Sequence, residues 1–471
     1  MKALSTIQQT MFHDIHTKDV FEKAQEYAYD YLDRVMERNV YATDAALKDL
    51  VHFEEEMPAH PSAATTVIDL LHKYGAPATV AQSGGRYFGF VCGGIVPAGM
   101  AAKQLATYWD QNTAMSVLSP VSAVLETVVE GWLKDIFRLP AAAVAGFVSG
   151  TSVANFSALA AARYRILARY DWDINAKGLA GAPNIRIVTG NHAHAAVLKA
   201  IGLLGLGTDN IEWVETDDEG RIIPENVPEL DDRTILILQA GNVNSGSFDV
   251  FPELCEKAAR ANAWVHIDGA FGLWAAAADG LQHLARGIEH ASSWAVDAHK
   301  TLNTPYDNGV VLCKDKEALR AALHASGSYL VVNDDTRDGM FYTPEMSRRS
   351  RIIELWATMK FLGRSGISEM VHTLHERAVQ FAEVLGGIDG FTIQNEVVFN
   401  QVLVACETDE LTLKTLARIQ ELRECWVGGS MWRGRKVIRI SVCSWATTAE
   451  DIVRSARSFE RALHEVQEPV A

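Results

Sequence analysis

The stretch Ser293–Trp294–Ala295–Val296–Asp297–Ala298–His299–Lys300 decides how this chain is read. An apolar run closes on polar, chemically capable residues, and Lys300 is followed at once by the turn formers Asn303, Pro305, Tyr306 and Gly309. A second run of the same kind, Trp264–Val265–His266–Ile267–Asp268, ends in an acid and then Gly269–Ala270–Phe271–Gly272. Asp268 and Lys300 are separated by about the length of a strand–helix–strand unit, which delivers both to the C-terminal edge of a parallel sheet and into one crevice. A lysine and a carboxylate meeting there suit a Schiff base to an aldehyde cofactor whose pyridinium nitrogen faces the acid. A helix cap and a solvated strand end are the competing reading of the same two residues.

Moving outward from that crevice, Thr234–Leu238 reads as a strand ending in Gln239–Ala240–Gly241–Asn242, and Asn184–Val188 as another that leads to His192 and His194. One histidine stacked on an aromatic cofactor competes with two plain loop histidines. No carboxylate or cysteine stands at zinc-ligand spacing, so no metal is expected. Farther upstream, Gly146–Phe147–Val148–Ser149–Gly150–Thr151–Ser152 opens a helix at Val153, and the unpaired N–H groups of such a terminus suit a phosphate. A simple cap by Ser149, Thr151 or Ser152 explains the same residues. Strands near 187, 237, 266, 295 and 311, alternating with helical segments such as Pro252–Ala261, give an α/β fold. Its central sheet is mostly parallel, with helices on both faces.

The flanks divide the chain into an N-terminal helical arm over 1–75, a large domain over 76–362 and a smaller α+β domain over 363–471. Phe21, Ala24, Tyr27, Tyr31, Leu32 and Val35 recur at helical spacing, and this apolar face suits a homodimer arm. The loop from Ser326–Gly327–Ser328–Tyr329 through Asn333–Asp334–Asp335 to Tyr342 reads as a lid. Thr447–Thr448–Ala449–Glu450 has the spacing of a capping box. Phe88 and Phe90, in a glycine-rich segment, lean toward an aromatic substrate, and Arg439 is a candidate for holding a carboxylate by the resemblance of its small-domain strand to the one that does so in aminotransferase-like enzymes. The chain has 471 residues, 48% of them hydrophobic, enough for a large core. A formal charge of −16 argues against a phosphate-backbone partner such as nucleic acid. With no signal-like leader, no apolar membrane span and six scattered cysteines, a cytoplasmic protein with reduced thiols is expected.

Taken together, Ser149–Gly150–Thr151–Ser152–Val153–Ala154–Asn155, His194–Ala195–Ala196–Val197, Asp268–Gly269–Ala270 and Asp297–Ala298–His299–Lys300 resemble the motifs of the group II pyridoxal-phosphate-dependent amino-acid decarboxylases. That group includes the aromatic amino-acid, glutamate and cysteine-sulfinate enzymes. The resemblance spans roughly residues 60 to 455. It implies an aspartate-aminotransferase-like fold (fold type I), a homodimer, and decarboxylation of an L-amino acid to an amine and carbon dioxide through a Lys300 Schiff base and a quinonoid. It also implies that Asp268 pairs with the ring nitrogen, that His194 stacks on the ring, and that Gly150, Thr151, Ser152 and His299 surround the phosphate. Ser149, Asn242, Ala270 and Asp297 complete the expected cofactor shell, and Tyr342 stands where relatives carry a Cα proton donor. Thr151, Ala196 and Thr301 depart from the family pattern, and Asp297 stands where many relatives have asparagine, which opposes an anion unless it points elsewhere. A C–C lyase, an aminotransferase and an oxidative-deaminating aldehyde synthase are the rival activities on the same scaffold. A non-catalytic cofactor-binding protein is the rival of another class.

Overall fold

Short β-branched runs alternating with alanine-rich helical runs build a seven-stranded sheet in the computed structural model, which describes residues 4–323 and 336–468. Its strands are β1 (Val144–Val148), β2 (Arg186–Gly190), β3 (Ile211–Val214), β4 (Thr234–Gln239), β5 (Trp264–Asp268), β6 (Ser293–Asp297) and β7 (Gly309–Cys313). They lie in the order β1-β7-β6-β5-β4-β2-β3. Strands β3, β2, β4, β5 and β6 run parallel. β7 is antiparallel to both β6 and β1, so β1 runs with the parallel set. Leu236 and Leu238 face one helical layer, with Val129, Leu133 and Leu254, while Ile235 and Ile237 face the other, with Leu159, Ile166 and Val197. Burial on both faces is why these strands are near-continuous apolar runs.

The connection from β5 to β6 is not the expected helix. It is a series of short 3-10 turns, Gly272–Ala277, Gln282–Ala285 and Ile288–His290. Gly280 and Gly287 adopt positive φ between them, which punctuates the run before an α-helix can propagate.

A second sheet contains β8 (Thr392–Ile393), β9 (Gln401–Ala405), β10 (Gly428–Trp432) and β11 (Arg435–Ser441), all antiparallel in the order β10-β11-β9-β8. Ile438 and Ile440 point to the layer formed by helices Asp409–Leu422 and Ala449–Gln467, with Ile419, Ile452 and Phe459. The period of two then sends Arg439 to the opposite face. The last helix is capped one residue later than expected: Thr448 and Asp451 form the reciprocal box, while the Thr447 hydroxyl donates to Gly85 O. The helix Ile352–Gly386 breaks at Gly363, whose φ is 60°. Helices Thr6–Thr17 and Asp19–Arg34 occupy the N-terminal region, and neither buries a residue on its own chain. Among the described residues no helix is long and apolar enough to cross a membrane.

Candidate active site

Because β2, β4, β5 and β6 end at one edge of the sheet, the residues that follow them share a cavity of about 480 Å³. Lys300, Asp268, His194, Ala270, Phe90 and Arg439 all line it. β5 ends on Asp268, paired across the sheet with Gln239 of β4, and β6 ends on Asp297, three residues before Lys300.

The turn that carries Lys300 is fixed by Asn303, which the sequence shows only as a turn former. Its Nδ2 donates to the carbonyls of Lys300 (3.1 Å), Thr301 (2.8 Å) and Cys443 (2.9 Å), and its Oδ1 accepts from the amides of Gly94 (2.7 Å) and Trp445 (2.9 Å). The glycine-rich segment is thereby drawn against the lysine. A Cβ on Gly93 would stand 2.1 Å from Lys300 O, so only glycine permits this approach.

Lys300 Nζ lies 3.0 Å from Asp297 Oδ2. Burial pushes its ammonium toward neutrality, but the charge and hydrogen bond of Asp297, with the charge of Asp268, outweigh that and hold its pKa above the ordinary lysine value. Asp297 also accepts from Thr151 N (2.7 Å) and Thr151 Oγ1 (2.9 Å), so a strand-end carboxylate caps the helix Thr151–Ala168. That helix has no cap from Ser149, Thr151 or Ser152, and its first free N–H is already taken by an anion of the chain itself. His299 stands beside it, with Nε2 3.6 Å from Asp297 Oδ2 and Nδ1 accepting from Asn308 N (3.0 Å). Burial, partly offset by Asp297, lowers the His299 pKa.

Asp268 accepts from Asn155 Nδ2 (3.2 Å) and Ala270 N (3.2 Å). His194 caps the helix Ala195–Leu203, with Nδ1 accepting from Ala196 N (3.2 Å), so a neutral ring carries its proton on Nε2. Burial lowers the pKa of His194 too, with Asp268 opposing.

Pyridoxal phosphate fits these residues. The cavity offers an amine for its aldehyde, a carboxylate for its ring nitrogen and an imidazole. Beside the start of the helix Thr151–Ala168, Gly150 leaves its backbone bare: a Cβ there would come 3.3 Å from His299 Cε1 and 3.5 Å from Asp297 Oδ1. Ser149, Gly150, Ser152 and His299 are the groups left near the helix terminus once Asp297 has taken Thr151.

Several expected site residues lie elsewhere. Phe88 is fully buried in the core of the second sheet, edge-on to Phe381 at 5.1 Å. Asn242 spends its Oδ1 on Asn244 N and Ser245 N, which closes its own loop, and leaves Gly241 and Val243 on the cavity wall. Tyr342 packs beneath the Arg337 guanidinium, 4.3 Å from its ring centre, in the core under Tyr164 and Leu159 rather than on the cavity wall. Positions 326–329 and 333–335 of the expected lid lie outside the described residues. Tyr306 does line the cavity, its ring 4.3 Å from that of His299, and burial raises its phenol pKa. Its place immediately after the turn of Lys300 was the available signal.

The geometry has counterparts. The chain is 29% identical over 339 residues to the acidic amino acid decarboxylase GADL1 of Mus musculus, a match covering 67% of this chain and 59% of the mouse protein. It is 25% identical over 492 aligned positions to the L-2,4-diaminobutyrate decarboxylase of Rhizobium meliloti, covering 98% of this chain and 95% of that one. The crystal structure of Oryza sativa TDC with PLP and tryptamine superposes with a TM-score of 0.88 at 19% identity, over 99% of this chain and 100% of the other, a likeness of fold. The pyridoxal-dependent decarboxylase conserved domain matches residues 48–406. The chain therefore belongs to the pyridoxal-dependent decarboxylase family, with pyridoxal phosphate as its cofactor.

Proposed function

We propose that the chain decarboxylates an acidic L-amino acid to an amine and carbon dioxide. The observation that carries this reading is that Lys300, Asp268 and Arg439 line one cavity. Bound there, pyridoxal phosphate supplies an electrophilic carbonyl and a ring that accepts the electron pair left by departing carbon dioxide. Lys300 would hold and release the cofactor and offers an amine for moving a proton. Asp268 would accept the ring N–H and keep that proton in place. His194, neutral, would cover the ring without adding charge.

Arg439 selects the substrate. Among the described residues its guanidinium hydrogen-bonds only Val243 O (3.2 Å) and makes no ion pair. A cation gripping the departing carboxylate stabilises the ground state more than the transition state and slows its loss. Arg439 therefore suits a carboxylate that stays, on the substrate side chain. The aromatic reading rested on two phenylalanines, of which Phe90 alone reaches the cavity. The name of the mouse relative agrees with an acidic substrate. Aminotransfer is the second reading, favoured if Arg439 instead binds the α-carboxylate. Incubation with acidic and aromatic L-amino acids separates them: carbon dioxide and amine from acidic substrates support the proposal, whereas keto acid without carbon dioxide rejects it.

We also propose a cytoplasmic homodimer in which the helix Thr6–Thr17 is covered by a second copy, because Ile7, Met11, Phe12 and Ile15 are all exposed on one chain. The arm, large and small domains would divide near residues 75 and 362, the second boundary falling beside the break at Gly363. Sedimentation of the full chain against a variant lacking residues 1–17 tests the arm: an unchanged mass for the truncated chain discards it.

A further inference from the structure

On the side of Asp268 away from the cavity, buried side chains from β5, β6 and the helix Thr151–Ala168 form a file of hydrogen bonds. Trp264 Nε1 donates to Ser293 Oγ at 2.9 Å, and Ser293 Oγ lies 2.9 Å from His266 Nδ1. His266 Nε2 lies 2.9 Å from Asn155 Oδ1, and Asn155 Nδ2 reaches Asp268 Oδ2 at 3.2 Å. Ser293, His266 and Asn155 are fully buried, so water does not complete these bonds.

The chemistry of the two ends sets the sense of the whole file. An indole N–H only donates, so the Ser293 hydroxyl accepts from Trp264; a carboxylate only accepts, so Asn155 turns its N–H to Asp268 and its oxygen to His266 Nε2, which leaves His266 Nδ1 to accept the Ser293 hydrogen. The single proton of a neutral imidazole then sits on Nε2 and goes to the amide oxygen of Asn155, which turns the amide N–H toward Asp268. His266 is kept neutral because burial pushes its pKa down to about 3. The reversed file would need Asp268 protonated and would leave the Ser293 hydroxyl hydrogen with no acceptor.

We propose that Trp264, Ser293, His266 and Asn155 are positioning residues that hold Asp268 as an oriented carboxylate, so that the proton shared with the cofactor ring stays on the ring nitrogen. This rests on the assignment of Asp268 to that nitrogen. Lys300 and His194 face Asp268 from the cavity and His266 stands behind it; Asp297 lies beyond Lys300. Breaking the file at its far end replaces none of these groups and reaches Asp268 only through His266 and Asn155.

The test uses the loaded enzyme with Trp264→Phe and Ser293→Ala, and with Ser293→Thr as the variant that keeps the hydroxyl. The nitrogen-15 shift of cofactor labelled at the ring nitrogen, followed against pH, reads the ring-nitrogen proton. The transition is expected to move down by about one unit in Trp264→Phe and Ser293→Ala, and to return in Ser293→Thr. Nitrogen-15 spectra of histidine-labelled apoprotein are expected to place the His266 proton on Nε2. An unmoved transition in both variants, whatever their melting temperatures, overturns the relay, as does a proton found on Nδ1. Asp268→Asn distinguishes the two levels. If that variant titrates like the wild type, the assignment of Asp268 itself fails; if it alone is altered, only the relay fails.

Discussion

Asp268 and Asp297 end adjacent parallel strands, are almost equally buried, and yet are set up for different work. Asp297 has its oxygens on a helix N-terminus, a threonine hydroxyl and the Lys300 ammonium. Among the described residues, Asp268 accepts hydrogen bonds only from neutral donors, Asn155 and the Ala270 amide. A carboxylate already paired with a cation has little left to offer a ring nitrogen, while one held by neutral donors keeps its charge available. The contrast teaches that the partners behind each acid, rather than burial, assign its role.

The sharpest way to break the contrast is to remove the group both acids influence. Lys300→Ala is expected to abolish borohydride-stable attachment of the cofactor and to lower turnover by about a thousandfold or more, read by mass spectrometry and carbon dioxide release. Asp268→Asn comes next: kcat falls about a hundredfold to a thousandfold while the cofactor still binds. Equal losses in kcat and in cofactor affinity would erase the distinction from Asp297.

Asp297→Asn is expected to act with opposite sign on loading. Removing that charge lowers the Lys300 pKa, so the free amine appears at lower pH, and it removes an anion from beside the phosphate end. The rise of cofactor-loading rate with pH should shift downward, followed by absorbance in the apoprotein. The sign for stability follows. An ammonium whose pKa is raised by folding stabilises the apoprotein below the unfolded lysine value of about 10.4 and loses that contribution as pH rises through the folded one. Asp297→Asn removes this alkaline loss. Arg439→Met should raise KM for an acidic substrate about tenfold or more, with a smaller change for an aromatic one. Smallest of all, Tyr342→Phe should leave kcat within about twofold, because its ring packs on Arg337 and stays in place without the hydroxyl.

Much of the sheet was legible because β2, β4, β5, β6 and β7 are apolar runs with sharp polar ends. β1 escaped notice, since Val144–Ala145–Gly146–Phe147–Val148 carries a glycine and an alanine and leads straight into the helix. β3 is only four residues long. The two phenylalanines show a subtler failure. Phe88 and Phe90 share parity, which in a regular strand puts them on one face. Positive φ at Phe90 and Val91 turns the backbone there, so Phe88 enters the core while Phe90 lines the cavity. Tyr342 was placed by distance along the chain, and distance along a loop does not say where its side chain packs.

What the sequence determined by itself is local. Runs of apolar residues fix where the strands end, and a strand's end fixes which polar side chains reach the edge of a parallel sheet. That is why Asp268 and Lys300 could be paired before any coordinates. Tertiary structure alone decided the partners: Asn155 behind Asp268, Thr151 on Asp297, Asn303 between Gly94 and Cys443, and Arg439 swung in from a second sheet. These bonds join residues more than a hundred positions apart for Asn155 and Asp268, which are 113 residues apart. Geometry at the scale of a hydrogen bond is set by the packing of whole layers, and no local pattern of residues encodes it.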